Sequence, residues 1–151
     1  MNPDSLYESD IHAWTEQTAE LLRLGRFQDV DLGHLIEELE SMGRRDRQAL
    51  VSRLKILLGH LLKWEYQPDQ RSRSWRGSIL EQRLRLRDLL DDCPSLKPLL
   101  PDAVIKAYPD GARLASKETG LPLSALPEVC AYPLDHLLDD DWFPGSPGLQ
   151  R

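Results

Sequence analysis

Leu50-Val51-Ser52-Arg53-Leu54-Lys55-Ile56-Leu57-Leu58-Gly59-His60-Leu61-Leu62-Lys63-Trp64 is the stretch that decides the fold. Leu50, Leu54, Leu57, Leu61 and Trp64 recur at steps of 4, 3, 4 and 3, and Val51, Leu58 and Leu62 widen the stripe. Side chains at these steps share one face of an α-helix, and a stripe this broad suits the central helix of a bundle rather than a surface helix. The spacing predicts a helix from about Arg45 to Tyr66, ended by Pro68.

The same periodicity extends in both directions. Before the central helix, Leu32, Leu35, Ile36 and Leu39 form a second stripe after the capping residue Asp31, with Glu37, Glu38 and Glu40 on the polar side. The glycine in Ser41-Met42-Gly43 reads as a stop or a kink. Earlier still, Ser9 or Asp10 can cap a helix carrying Ile11, Trp14, Thr18, Leu21 and Leu22, which Gly25 closes in a left-handed turn. After the central helix, Trp75, Ile79, Leu86 and Leu90 define a helix from about Ser74 to Leu90, with Leu80 and Leu84 beside the stripe. Pro98, Pro101 and Pro109 punctuate a further helical stretch from Leu96 to Thr119, and a short helix is expected over Leu134 to Leu138. No stretch alternates apolar and polar residues as a strand would.

These elements predict an all-α fold: a compact helical bundle of four to five main helices with an irregular proline-rich C-terminal segment. One domain is expected over residues 1–143, with a flexible tail over 144–151. The expected core is Leu32, Leu35, Ile36, Leu39, Leu50, Leu54, Leu57, Leu61, Trp64, Trp75 and Ile79. A chain of 151 residues, 40% hydrophobic and 29% charged, can build such a core without a disulfide or a structural metal. Its two cysteines, Cys93 and Cys130, have no metal-ligand spacing and read as reduced thiols. No run approaches the ~20 apolar residues of a membrane span, and no secretory leader is visible, so a cytoplasmic protein without a membrane partner is expected.

Charge is segregated. Residues 1–40 carry ten acids and two bases, residues 44–87 four acids and twelve bases, and residues 88–151 eleven acids and five bases. A basic middle therefore lies between acidic ends.

Several blocks together carry a family resemblance. They are Tyr7-Glu8-Ser9-Asp10 with Trp14; Leu35-Ile36-Glu37-Glu38-Leu39-Glu40-Ser41-Met42-Gly43; and His60-Leu61-Leu62-Lys63-Trp64-Glu65-Tyr66-Gln67-Pro68. Arg73-Ser74-Trp75-Arg76, Glu81-Gln82-Arg83 and Ser95-Leu96 complete the set. In this combination the chain resembles the bacterial family called domain of unknown function 29, over nearly its whole length up to Pro144. The resemblance implies a helical cytoplasmic protein and supplies no activity and no catalytic residue.

Three groups of residues could carry function. His34, Glu37, Glu40 and His60 could form a metal or acid–base site if the helices bearing them packed antiparallel, although the His-x-x-Glu order reverses that of bundle di-iron sites and occurs once. The alternative is a solvated glutamate face and a histidine at the edge of the core. Arg71, Arg73, Arg76, Arg83 and Arg87, interleaved with Trp64 and Trp75, could contact phosphates and bases. Alternatively these arginines pair with the acidic N-terminal helices while the tryptophans fill the core. Asp139-Asp140-Asp141-Trp142-Phe143-Pro144 is either a docking peptide or a C-terminal anchor. Motifs for nucleophilic hydrolysis, nucleotide or calcium binding and zinc proteolysis are absent, and no cofactor is called for. The leading expectation is a non-catalytic protein-interaction or adaptor module that binds a protein partner or a second copy of itself. A nucleic-acid-associated protein and a metal-dependent enzyme are the alternatives.

Overall fold

The computed structural model describes residues 3–145, with side chains from residue 6 onward. Of the tail expected over 144–151, only Pro144 and Gly145 fall among the described residues, and Pro144 is buried. The described residues are helical and contain no strand: α1 Pro3–Ser9, α2 Ile11–Arg23, α3 Leu32–Tyr66, α4 Arg73–Asp92, α5 Leu100–Thr119 and α6 Leu134–Leu137, with 3-10 turns between them. The chain divides into two compact units, one through Arg45 and one from Asp46 onward.

In the N-terminal unit, the Asp10 carboxylate accepts the Ala13 N–H at 3.1 Å and fixes the start of α2. Gly25, at φ 73°, closes the helix, with the Arg26 and Gly25 N–H groups donating to Leu21 and Leu22 at 2.8 and 3.0 Å. Asp31 caps α3 by accepting the His34 N–H at 3.3 Å. Trp14 and Thr18 are buried. The Tyr7 ring meets Trp14 edge-on at 4.8 Å and stacks on His34 at 4.1 Å, and its hydroxyl donates to Glu38 at 3.3 Å.

Two expectations are corrected in this region. The chain does not stop at Gly43, because α3 runs from Leu32 to Tyr66. A lone glycine costs a helix only about 1 kcal/mol relative to alanine, and the flanking Leu39-Glu40 and Arg44-Arg45 favour helix. Nor does the first stripe of α3 enter the core. Leu32, Ile36 and Leu39 are 63%, 48% and 57% exposed, and Met42 beside them is 51% exposed, while Leu35 is half-buried.

The second unit contains the core. The C-terminal half of α3 buries Leu50, Leu54, Leu57, Leu58, Leu61, Leu62 and Trp64 against Ile79, Leu86 and Leu90 of α4 and Val104, Ala107, Tyr108, Ala112 and Ala115 of α5. Trp75, expected in this core, is only partly buried against it. The α3–α5 crossing depends on two glycines. A Cβ built on Gly111 would lie 3.0 Å from the Lys55 carbonyl oxygen and 3.3 Å from the Gly59 nitrogen, and one built on Gly59 would lie 3.2 Å from the Gly111 carbonyl oxygen. Without side chains at these positions the two backbones approach closely. Gly120, at φ 79°, ends α5. Among the described residues no helix is long and apolar enough to cross a membrane.

Candidate functional site

A row of hydrogen bonds from buried and part-buried arginines joins α4 to the segment around α6. Ser72 starts α4 by accepting the Trp75 N–H at 3.1 Å, and Pro94 follows its end. Its inner face presents Ile79, Gln82, Arg83, Leu86 and Leu90, all buried. Arg83 is only 1% exposed. Its Nε donates to the Leu137 carbonyl and its Nη2 to the Trp142 carbonyl, each at 2.8 Å, and its guanidinium lies 5.5 Å from the centre of the Phe143 ring. Burial pushes its pKa down to about 10, partly opposed by Asp140 and Asp139, so it remains a cation at neutral pH. One turn further along, Arg87 donates to the Leu138 carbonyl at 2.8 Å and grips Asp140 with two bonds of 2.7 and 3.0 Å. That grip holds the Asp140 carboxyl below its ordinary pKa.

The segment held by these arginines is a strap. Leu137 and Trp142 are buried, Phe143 packs on Trp64 at 4.7 Å, and Tyr132 and His136 flank the Trp142 ring at 5.5 and 5.3 Å. Asp139 accepts the Asp141 N–H at 2.9 Å and turns the acidic run. The acidic–aromatic sequence is thus an anchor on the fold.

The remaining arginines are partly committed. Arg71 Nε donates to the Trp64 carbonyl at 2.8 Å and its guanidinium lies 4.9 Å from the Trp64 ring centre. Arg76 lies over Trp64 and Phe143 at 5.4 and 5.6 Å. Arg73 is exposed, and Arg85 pairs with Glu81 at 3.1 Å. The partners the structure gives Arg83 and Arg87 lie in the C-terminal strap, and Arg71 and Arg76 rest on aromatic rings.

The metal candidates do not come together. His34 Nδ1 meets the Asp31 carboxylate, Glu37 and Glu40 are exposed, and His60 Nδ1 lies 3.0 Å from the Ile56 carbonyl oxygen. Burial lowers the His60 pKa. Among the described residues no three His, Cys, Asp or Glu side chains are placed to hold a metal ion. Two buried cations, Arg83 and Lys63, were missed as a feature of the interior. Lys63 pairs with Glu118 and lies 4.9 Å from the Trp75 ring centre. The signal for Arg83 was present in the sequence: Ile79, Arg83, Leu86 and Leu90 step by 4, 3 and 4, which sets the arginine in the apolar stripe.

The structure thus defines an all-helical protein whose basic helix secures its own C-terminal segment. The chain belongs to the family described as domain of unknown function DUF29, whose model matches residues 6–143. No curated protein and no solved structure matches it.

Proposed function

We propose that the chain is a non-catalytic helical interaction module, acting in the cytoplasm of a bacterial cell, whose N-terminal unit presents the binding face. The observation that carries this reading is the row Leu32, Ile36, Leu39 and Met42, four large apolar side chains about half-exposed or more within three turns of α3. Single exposed leucines are ordinary, but a contiguous apolar row on one helix face marks a surface that gains from being covered. It suits an amphipathic partner helix laid along it with anchors at the same spacing. The free thiols of Cys93 and Cys130 are compatible with a reducing compartment. The nucleic-acid reading has less support, because Arg83 and Arg87 are bonded to the strap and Arg71 and Arg76 lie against aromatic rings. The metal reading lacks a converging donor set among the described residues.

The test is capture from nuclease-treated bacterial lysate on immobilised full-length chain, wild type beside Ile36→Glu/Leu39→Glu. A protein retained by the wild type and lost with the variant supports the reading. Equal retention by both, material that disappears with nuclease, or turnover of a substrate by the pure protein overturns it.

A further inference from the structure

The outward face of α4 has an order of residues that a helix needs in order to pair with itself. Arg73, Gly77, Leu80, Leu84, Arg87 and Asp91 follow one another at steps of 4, 3, 4, 3 and 4, the spacing of a coiled-coil seam. This seam runs along the outer side of the helix, away from Ile79, Gln82, Leu86 and Leu90. Leu80 and Leu84 are 44% and 46% exposed, Arg73, Gly77 and Asp91 are exposed, and a Cβ built on Gly77 would meet nothing within 4 Å. Neither the Arg73 nor the Asp91 side chain has a hydrogen bond or ion pair among the described residues.

The seam is a palindrome about Gln82. If a second α4 is laid antiparallel on the first, Leu80 faces the second copy's Leu84, Gly77 faces its Arg87, and Arg73 faces its Asp91. Each layer then recurs on the other side of the two-fold axis. The central layers are apolar. The flanking layers set the smallest residue opposite the largest, and that large residue, Arg87, is already neutralised by Asp140. The outer layers set opposite charges together. A closed two-fold contact demands this kind of self-complementarity, whereas an unrelated partner has no reason to require it.

We infer that α4 is a homodimer contact, in which two copies of the chain pair antiparallel through Leu80 and Leu84 and are held in register by Arg73 and Asp91. This rests on the reading of the chain as an interaction module and names a second copy as one of its partners. Arg73 and Asp91 are 91 − 73 = 18 residues apart on one helix, about 27 Å at 1.5 Å per residue, so within a chain they cannot pair. In the antiparallel pair each meets the other across the two-fold axis.

The experiment is sedimentation of the full-length chain over a concentration series at low and high salt. Four forms are compared: wild type, Arg73→Asp, Asp91→Arg, and the double swap Arg73→Asp/Asp91→Arg. Circular dichroism checks that each form folds, and both positions are exposed, so the swaps leave the core untouched. The expected result is a concentration-dependent dimer that salt weakens. Each single swap weakens it about tenfold by turning two attractions into repulsions, and the double swap restores it. Leu80→Glu abolishes it. A chain that is monomeric at every concentration, that associates only with an added different protein, that forms open-ended assemblies, or whose dimer ignores these swaps overturns the inference. A monomer that still captures a partner through Ile36 and Leu39 removes this inference and leaves the interaction reading standing. Loss of capture beside a dimer that obeys the swap pattern does the reverse.

Discussion

Replacing Arg83 tests whether the strap is held by the guanidinium fork or only by its aromatic side chains. The side chain is a cation in a site that is 1% exposed. Burial lowers its pKa from 12.5 to about 10. At about 1.4 kcal/mol per unit, this corresponds to a net cost of roughly 3 kcal/mol for the charged form, desolvation partly offset by Asp140 and Asp139. Because the folded pKa lies below the unfolded one, that cost is present at every pH below about 10. Against it stand two hydrogen bonds from a charged donor, at about 1.5–3 kcal/mol each. The arrangement is favourable only while both carbonyls, of Leu137 and Trp142, are engaged. Arg83→Ala strands both acceptors and empties a large buried volume, so a loss of about 3–5 kcal/mol is expected. Arg83→Lys keeps the charge and its solvation cost, but a single ammonium cannot reproduce the fork, so about 1–3 kcal/mol should be lost. Arg83→Met removes the charge at similar volume and should fall nearer wild type than alanine does. Urea unfolding at pH 7, followed by tryptophan emission, measures all three, with emission shifting red as Trp142 is released. An alanine variant within about 0.5 kcal/mol of wild type, or a lysine variant equal to it, would refute the reasoning.

The glycines of the helices predict opposite responses to the same change. Gly111→Ala should destabilise by about 1–3 kcal/mol, because its Cβ would press on Lys55 and Gly59 backbone atoms at 3.0 and 3.3 Å. Gly77→Ala, with open space around its Cβ, should raise stability by about 1 kcal/mol, and thermal unfolding distinguishes the two. The Arg87–Asp140 pair predicts a pH dependence. Its hydrogen bond to Arg87 holds Asp140 below its ordinary pKa. The folded carboxyl therefore binds a proton less readily than the unfolded one. The contribution is full above the ordinary carboxylate range and is lost as the pH falls through that range to the folded value. The pair is partly exposed, which limits the effect to about 1 kcal/mol. Asp140→Asn should lower stability at pH 7, by an amount that shrinks as the pH falls through and below the ordinary carboxylate range, as read by urea midpoints.

The elements that could be read from the sequence are those whose signals are local. Asp10, Gly25 and Asp31 act as their positions suggested, because a cap or a left-handed turn is decided within a few residues. The stripe from Leu50 to Trp64 is buried because it is too broad to leave uncovered. Gly43 shows where local reading failed. The same residue type that ends α2 lies inside α3: the N–H groups of Gly25 and Arg26 turn back to Leu22 and Leu21, whereas the helix continues through Gly43 into Arg44 and Arg45. The stripe from Leu32 to Leu39 has the same period as the buried one and is exposed. Periodicity shows that residues share a face and is silent on what covers it.

The arginine row required tertiary information of a particular kind. Spacing already set Arg83 among Ile79, Leu86 and Leu90, and a cation in an apolar stripe must be neutralised or hydrogen-bonded. Its partners are main-chain carbonyls, which every residue carries, so no residue type in the sequence could have marked them. Arg87, by contrast, found a carboxylate, and the Asp139-Asp140-Asp141 run did mark that partner once the chain returned to α4. One helix therefore uses a single residue type in two ways. Arg83 and Arg87 turn inward and to the flank, where they fasten the C-terminal segment. Arg73 stays exposed at one end of a seam whose other end, at Asp91, carries the opposite charge. The net charge of residues 44–87 counted these arginines alike, whereas phase around the helix buries Arg83, leaves Arg73 exposed and sets Arg87 between them, bonded to the strap at the edge of the seam.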